Sequence, residues 1–302
     1  MYSYELHGYT VECAWPLPMG STEAVSKKAD LFITYSNIKI KEPPSMHPLR
    51  SSEGHEVAWL GSCDLGFILN FQNQAQFLFS ENILSVLNTS LSESDLDTLL
   101  LSQVIPMAFS FKADLMLHAS GIEKFGQAWA FLGLEGAGKS TLAASFLQKD
   151  FKVLSDDSLR VDISLDPIKV YPGTPEIRMF SESIGKIFKN PEALNFSKAI
   201  HKMRIELPNS LPRALPLAGL FCLNPQVEDT EVSVNFLKPK EALPYLLRSL
   251  FRWDLQSQRA MTKEISGAVN LLSQTPAYLV NYSHKWDSRE ILINKISEVM
   301  LL

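Results

Sequence analysis

The chain has 302 residues, 46% of them hydrophobic, and a formal net charge of -5. That is enough apolar material to bury one large core or two modest ones. The acidic balance argues against nucleic acid or an anionic membrane as a partner, because both need a basic surface to displace counterions, so any polyanion held is expected to be small.

The N-terminus, MYSYELHGYTVECAW, has neither a basic stretch nor a continuous apolar core. No later run reaches the roughly 20 apolar residues that span a bilayer, so a cytoplasmic protein is expected. Cys13, Cys63 and Cys222 lie far apart and in no metal-ligand spacing, which suits buried thiols in a reducing compartment.

Residues 1–91 contain short apolar and aromatic runs (YTVECAW, DLFITYSNIKI, EVAWLGS, FILNF) separated by the turn-forming stretches PLPMGS and KEPPS. They predict a β-rich N-terminal region, which either recognises a partner or covers a second region over 92–302. From Ser92 the pattern changes. Glu93, Asp95 and Asp97 precede Leu96, Leu99, Leu100, Val104, Met107, Ala108 and Phe111 at helical spacing, with Pro106 a candidate kink.

Next, DLMLHAS and QAWAFLGL predict two strands around a turn at Lys124 to Gly126, the second running into a glycine loop. Gly133-Leu134-Glu135-Gly136-Ala137-Gly138-Lys139-Ser140 fills the pattern G-x-x-x-x-G-K-[ST], in which backbone N–H groups wrap phosphates and the lysine reaches the outer ones. Ser140 would then be a magnesium ligand, and Ser140 to Lys149, with Thr141 beside the loop, is the helix that the loop opens. A lysine at the positive end of a helix is unfavourable for folding, and makes sense if an anionic ligand neutralises both.

FKVLSDD predicts a short buried strand ending in Asp156-Asp157. Adjacent strand residues point to opposite faces, so one acid would face metal and phosphates while the other braces the loop or takes a proton; the alternative is a solvated turn or a helix cap. His118 ends the run before the loop, on a strand expected beside the one feeding it. It either tunes an acid or is a satisfied structural residue. Ser120 has no evident partner in the sequence. LRVDIS and IKVYPG predict a hairpin turning near Asp166-Pro167. Tyr171-Pro172-Gly173 and Pro175 form a stiff turn that either clamps a substrate or simply connects strands. Lys202 and Arg204 either meet phosphates or lie on a solvated strand face, and Phe251 and Trp253 read as core rather than as a binding platform. Helices are expected over Glu241 to Phe251, over Leu255 to Ser273 and from Asp287, with AYLVNY a strand. The core is therefore mixed α/β.

His118, the loop GLEGAGKS and Asp156-Asp157, in their order and spacing, resemble the catalytic domain of the bacterial HPr kinase/phosphorylase family. Glu176-Ile177-Arg178 looks like the start of that family's E-I-R-G-L-G signature, and the resemblance spans roughly residues 112 to 182. It implies an α/β P-loop kinase core of the HPr kinase and phosphoenolpyruvate carboxykinase type, which takes ATP or another nucleoside triphosphate. It implies Lys139 as phosphate binder, Asp157 as the base for an acceptor serine, Asp156 and His118 in support, and Mg2+ held by Ser140, Asp156 and Glu176. Thr141 stands where the HPr enzymes have glutamate, and Met179-Phe180 replace the Gly-Leu-Gly half of the signature. The combination L-H-A-S, G-A-G-K-S-T, L-S-D-D and Y-P-G-x-P looks more like the HPr kinase-related serine kinases found with peptide-modification genes, including those of lasso peptides, where the acceptor is a serine of a precursor peptide. The expected partner is therefore a protein or peptide bearing an acceptor serine, and homo-oligomerisation stays open because HPr kinases assemble as hexamers. A kinase for a small hydroxylated molecule and a nucleotide-binding regulatory module are the alternatives.

Overall fold

The computed structural model describes residues 1–19, 28–40, 46–50, 54–112, 115–189, 196–199, 202–207, 213–226, 231–252, 257–283 and 285–301. The KEPPS stretch, the Gly20-Ser21 end of PLPMGS, Trp253 and the Leu255 start of a predicted helix lie outside these. The chain divides into two compact units, Met1–Phe111 and Lys112–Leu302.

The first unit holds β1 (Tyr2–Leu6), β2 (Tyr9–Cys13), β3 (Leu31–Tyr35), β4 (Met46–Arg50), β5 (Glu56–Cys63), β6 (Gly66–Phe71), β7 (Ala75–Ser80) and β8 (Ile83–Thr89). They form one eight-stranded sheet in the order β1-β2-β3-β8-β7-β6-β5-β4. The helical segment after Ser92 belongs to this unit, so the division falls after Phe111 rather than at residue 92. The reason is packing: Phe109 contacts the rings of His7 and Tyr9, Phe111 contacts Phe67 and Phe79, and Trp15 Nε1 donates to Asp97 Oδ1 at 3.0 Å. α1 (Glu93–Leu99) is capped by Ser92, whose Oγ accepts from the Asp95 N–H, and carries Glu93 and Asp95 in its first turn. A π-helical turn over Leu100–Val104 leads into α2 (Ile105–Phe109). Pro106 has no N–H to return to the preceding turn, and the widened turn accommodates that loss.

The second unit is mixed α/β. Its strands are β9 (Leu115–Leu117), β10 (Ala119–Lys124), β11 (Gln127–Leu132), β12 (Lys152–Ser155), β13 (Leu159–Asp162), β14 (Lys169–Tyr171), β15 (Glu176–Met179), β16 (Phe196–Ala199), β17 (Lys202–Glu206), β18 (Leu215–Gln226), β19 (Ser233–Leu237) and β20 (Ala277–Ser283). Its helices are α3 (Lys139–Leu147), α4 (Ser181–Ile187), α5 (Pro239–Arg248), α6 (Gln258–Gln274) and α7 (Arg289–Met300). A nine-stranded sheet runs β12-β10-β11-β18-β14-β13-β9, with β20 also on β18 and β19 on β20. A separate three-stranded sheet runs β15-β17-β16.

β11 is buried on both faces. Trp129 and Phe131 enter a core with α3, α7 and the β15–β17 pair, while Ala128, Ala130 and Leu132 enter a second core with α5 and α6. That double burial is why QAWAFL is a continuous apolar run rather than an alternating one. Full burial of a ring such as Phe131 stabilises by about 1.5–3 kcal/mol. No helix among the described residues is long and apolar enough to cross a membrane.

Candidate active site

Strand direction gathers the candidate residues at one end of the large sheet. β10 runs antiparallel to β11, with Ala119 opposite Leu132, so His118 at the head of β10 lies beside Gly133 at the tail of β11. β12 runs antiparallel to β10, with Ser155 opposite Gly121, so Asp156 and Asp157 emerge at the same end. β18 and β20 run parallel to β11 and to each other and finish there as well. This is the crevice outside the carboxyl ends of strands where open α/β sheets hold ligands.

The loop Gly133–Ser140 joins β11 to α3. Gly133 is required by close approach, since a Cβ there would meet Ala137 Cβ at 3.0 Å and Leu223 Cβ at 3.2 Å. Gly138 sits at φ 85°, a left-handed conformation that side chains disfavour. The hydroxyl of the buried Tyr282, on β20, donates to Ala137 O and braces the loop from beneath. Lys139 opens α3, which has no side-chain cap and no acidic residue in its first turn. Its Nζ donates to Gly133 O at 2.8 Å and Leu134 O at 3.2 Å. The side chain is buried, which pushes its pKa down, and the fields of Asp157 and Asp156 oppose that. Ser140 and Thr141 are half-buried, and Leu134, Glu135 and Gly136 are exposed at the loop tip.

The acidic pair does not divide across the strand as pleating predicts. β12 ends at Ser155, and Asp157 adopts φ 63°, which breaks the alternation. Both carboxylates therefore converge on Arg178. The Arg178 backbone N–H donates to Asp156 Oδ2 at 3.0 Å, and its Nε donates to Asp157 Oδ2 at 2.8 Å, joined there by Nη2. Asp156 Oδ1 accepts from Ser120 Oγ at 2.6 Å, so Ser120, unpartnered in the sequence reading, is tied to the pair. Burial and the neighbouring Asp157 push the Asp156 carboxyl up. Burial pushes Asp157 the same way, but Arg178, His118 and Lys202 together hold it down at about 2. His118 is driven down to about 4 by burial and by Lys139, against the pull of Asp157 and a hydrogen bond with the Asp157 backbone. It is therefore neutral at physiological pH. Phe251 stacks edge-on against its ring, with centroids 5.8 Å apart, which gives that phenylalanine a packing role.

Glu176 begins β15, and Arg204 Nε lies 3.1 Å from its Oε2. Both side chains are buried. Burial raises Glu176 to about 7, against Arg204 and Arg178. Arg204 is thus not on a solvated strand face; it lies inside the charged cluster. Register explains this, because Ile177 and Met179 opposite Ile205 and Met203 enter the core, while Glu176 and Arg178 with Arg204 form the other face of the β15–β17 pair. Among the described residues there is no group of three or more His, Cys, Asp or Glu side chains that could hold a metal ion by themselves. Tyr282 and Ser120 are the site residues to which sequence reasoning assigned no role, whereas Arg204, a candidate phosphate contact there, pairs with Glu176. Both are positioned by strand register, and only the polar break that Ser120 makes in an apolar run hinted at it.

No protein-family model matches the chain, and no curated protein matches it. Among solved structures, the chain is similar to the Hpr(Ser) kinase/phosphatase from Coxiella burnetii at a TM-score of 0.34 and 8% identity, over 62% of this chain and 96% of that one.

Proposed function

We propose that the chain is an ATP-dependent serine kinase that transfers the γ-phosphate of a nucleoside triphosphate to a hydroxyl of a protein or peptide. The observation that carries this reading is the meeting of a buried loop lysine, Lys139, with a buried carboxylate pair, Asp156-Asp157, at the carboxyl end of the sheet. A glycine loop that merely turned a strand into a helix would need neither the lysine nor the acids.

In this reading the loop amides and Lys139 neutralise the β- and γ-phosphate oxygens. Two of the three lysine donors rest on loop carbonyls, which points the ammonium into the loop mouth. The acceptor hydroxyl docks at Asp157. Both Arg178 contacts use Oδ2, which leaves Oδ1 to receive the hydroxyl hydrogen. The acceptor oxygen forms a bond to the γ-phosphorus as the bond to the β–γ bridging oxygen breaks, and the hydroxyl proton passes to Asp157. A carboxylate held near pH 2 is a weak base, so it acts chiefly by orienting the hydroxyl; positioning and charge stabilisation supply most of the rate in phosphoryl transfer.

The donor set suits Mg2+, because the Ser140 hydroxyl and the carboxylates of Asp156 and Glu176 are hard oxygen ligands, and Mg2+ commonly takes only one or two carboxylates plus phosphate oxygens and water. When bound, the ion would neutralise charge on the phosphate being transferred.

The test is the destination of label. The purified chain is incubated with γ-labelled ATP, Mg2+ and an extract of its own source, and labelled species are identified by mass. Label on a serine of a protein or peptide is the expected result. Label in a metabolite would make the chain a small-molecule kinase, and free phosphate alone, or no label despite nucleotide binding, would make it a regulatory module.

A further inference from the structure

The charged face of the β15–β17 pair holds one cation that the kinase reading leaves unused. Arg178 is paired with Asp157, Arg204 with Glu176, and Lys139 with loop carbonyls. Lys202 follows on the same face. The pairing of Met179 with Met203 sets Phe180 opposite Lys202, and Lys202 Nζ lies 5.6 Å from the centroid of the Phe180 ring. Among the described residues Lys202 forms no hydrogen bond or ion pair, and its contact is that ring. Phe180 itself is 56% exposed, a large apolar surface beside a buried charged cluster. Lys202 and Phe180 lie two residues along the chain from the Arg204–Arg178 cross-strand pair, and Arg178 bonds Asp157, so the lysine stands beside the acidic pair.

An unpaired ammonium over an exposed aromatic ring suits a ligand with an apolar body and an anionic tip. The nucleotide phosphates are already served by the loop and the α3 N-terminus, on other elements. Lys202 and Phe180 instead flank Asp157, where the acceptor hydroxyl docks. We propose that Lys202 and Phe180 form an acceptor-side subsite that recognises an oxyanion carried next to the acceptor hydroxyl, either a carboxylate side chain or a phosphate group. The pair would set acceptor specificity, with the lysine reading the charge and the ring packing against the peptide. The identity of the ligand as an acceptor rests on the kinase reading.

The experiment measures binding of fluorescent peptides to the full chain by anisotropy, with Mg2+ and a non-hydrolysable ATP analogue present. Four peptides carry a central serine flanked by Asp, by phosphoserine, by Asn or by Lys. The chains compared are wild type, Lys202→Ala, Lys202→Glu and Phe180→Ala, each checked for unchanged melting temperature and nucleotide affinity. Wild type is expected to favour the acidic peptides over the Asn peptide by about tenfold, as one charge-assisted contact at a partly exposed site allows. Lys202→Ala should erase that ratio, Lys202→Glu should turn it toward the Lys peptide, and Phe180→Ala should weaken all four peptides alike. The Asp and phosphoserine arms identify the source of the oxyanion. A ratio near one in wild type, including no binding of any peptide, or a ratio unchanged in Lys202→Glu, would overturn the subsite. Phosphate transfer to the same peptides is followed in parallel. Transfer without Lys202-dependent selectivity sinks the subsite alone, whereas selectivity without transfer to any acceptor sinks the kinase reading and leaves an anion-binding site.

Discussion

The two units fill their buried positions with different chemistry. In the first, Tyr4, Ile33, Ile68, Leu69 and Phe77 are among the side chains closed off from solvent, and Asp97 is its buried carboxylate among the described residues. In the second, Lys139, Asp156, Asp157, Glu176 and Arg204 are all less than 9% exposed. Burying apolar surface stabilises directly, whereas burying ions costs several kcal/mol each before pairing offsets it. The first unit therefore reads as a structure held by burial, and the second as one that tolerates an electrostatic cost at one end of its sheet. Such concentration of perturbed groups is what a reactive site requires.

Substitutions that separate burial from charge sharpen this contrast. The largest effects on stability should come from Phe77→Ala and Arg204→Ala, each costing about 3–5 kcal/mol, the first by opening a cavity and the second by leaving Glu176 unpaired. Hydrogen exchange should place the first loss in residues 1–111 and the second in residues 112–302; a loss spread equally over both would blur the distinction drawn here. Lys139→Ala comes next. It should slow phosphate transfer by on the order of 10²–10³-fold and weaken nucleotide binding, with no loss of protection in the first unit.

A smaller effect concerns pH. His118 is held at about 4 in the folded chain against 6.5 for an unperturbed imidazole, so its folded form resists protonation. A depressed folded value contributes stability that is present above pH 6.5 and is lost as pH falls from 6.5 through about 4. His118→Gln should flatten that part of the stability curve by on the order of 1–3 kcal/mol in denaturant titrations. Parallel curves for the two chains across this window would show that His118 is not buried as a neutral ring.

Much of this arrangement was legible in local sequence. QAWAFL reads as a strand because both its faces are buried, GLEGAGKS reads as a loop because two glycines must take special geometry, and the acids after KVLS read as a strand end. AYLVNY, the helix near Glu241 and the closing helix near Asp287 fall on β20, α5 and α7, with ends shifted by a few residues. The twelve-residue central strand β18 did not emerge, although LAGLFCL is a continuous apolar run, because such runs do not distinguish strand from buried helix. The convergence of Asp156 and Asp157 on Arg178 was hidden for another reason: pleat alternation stops where the strand stops, and the left-handed Asp157 lies just beyond it. Arg204, Ser120 and Tyr282 reach the site through strand register, which a single sequence does not carry.

The most direct measurement compares nucleotide affinity and phosphate transfer in wild type and Asp157→Asn. The substitution keeps the shape of the side chain while removing the charge that faces Arg178 and that, in the proposed reaction, would receive the acceptor hydroxyl. The account predicts that nucleotide binding stays within about threefold of wild type, because loop amides and Lys139 hold the phosphates, while transfer to the acceptor falls by on the order of 10²-fold or more. Loss of nucleotide binding in parallel with transfer, to the extent seen in Lys139→Ala, would contradict it and make the acidic pair part of the nucleotide site.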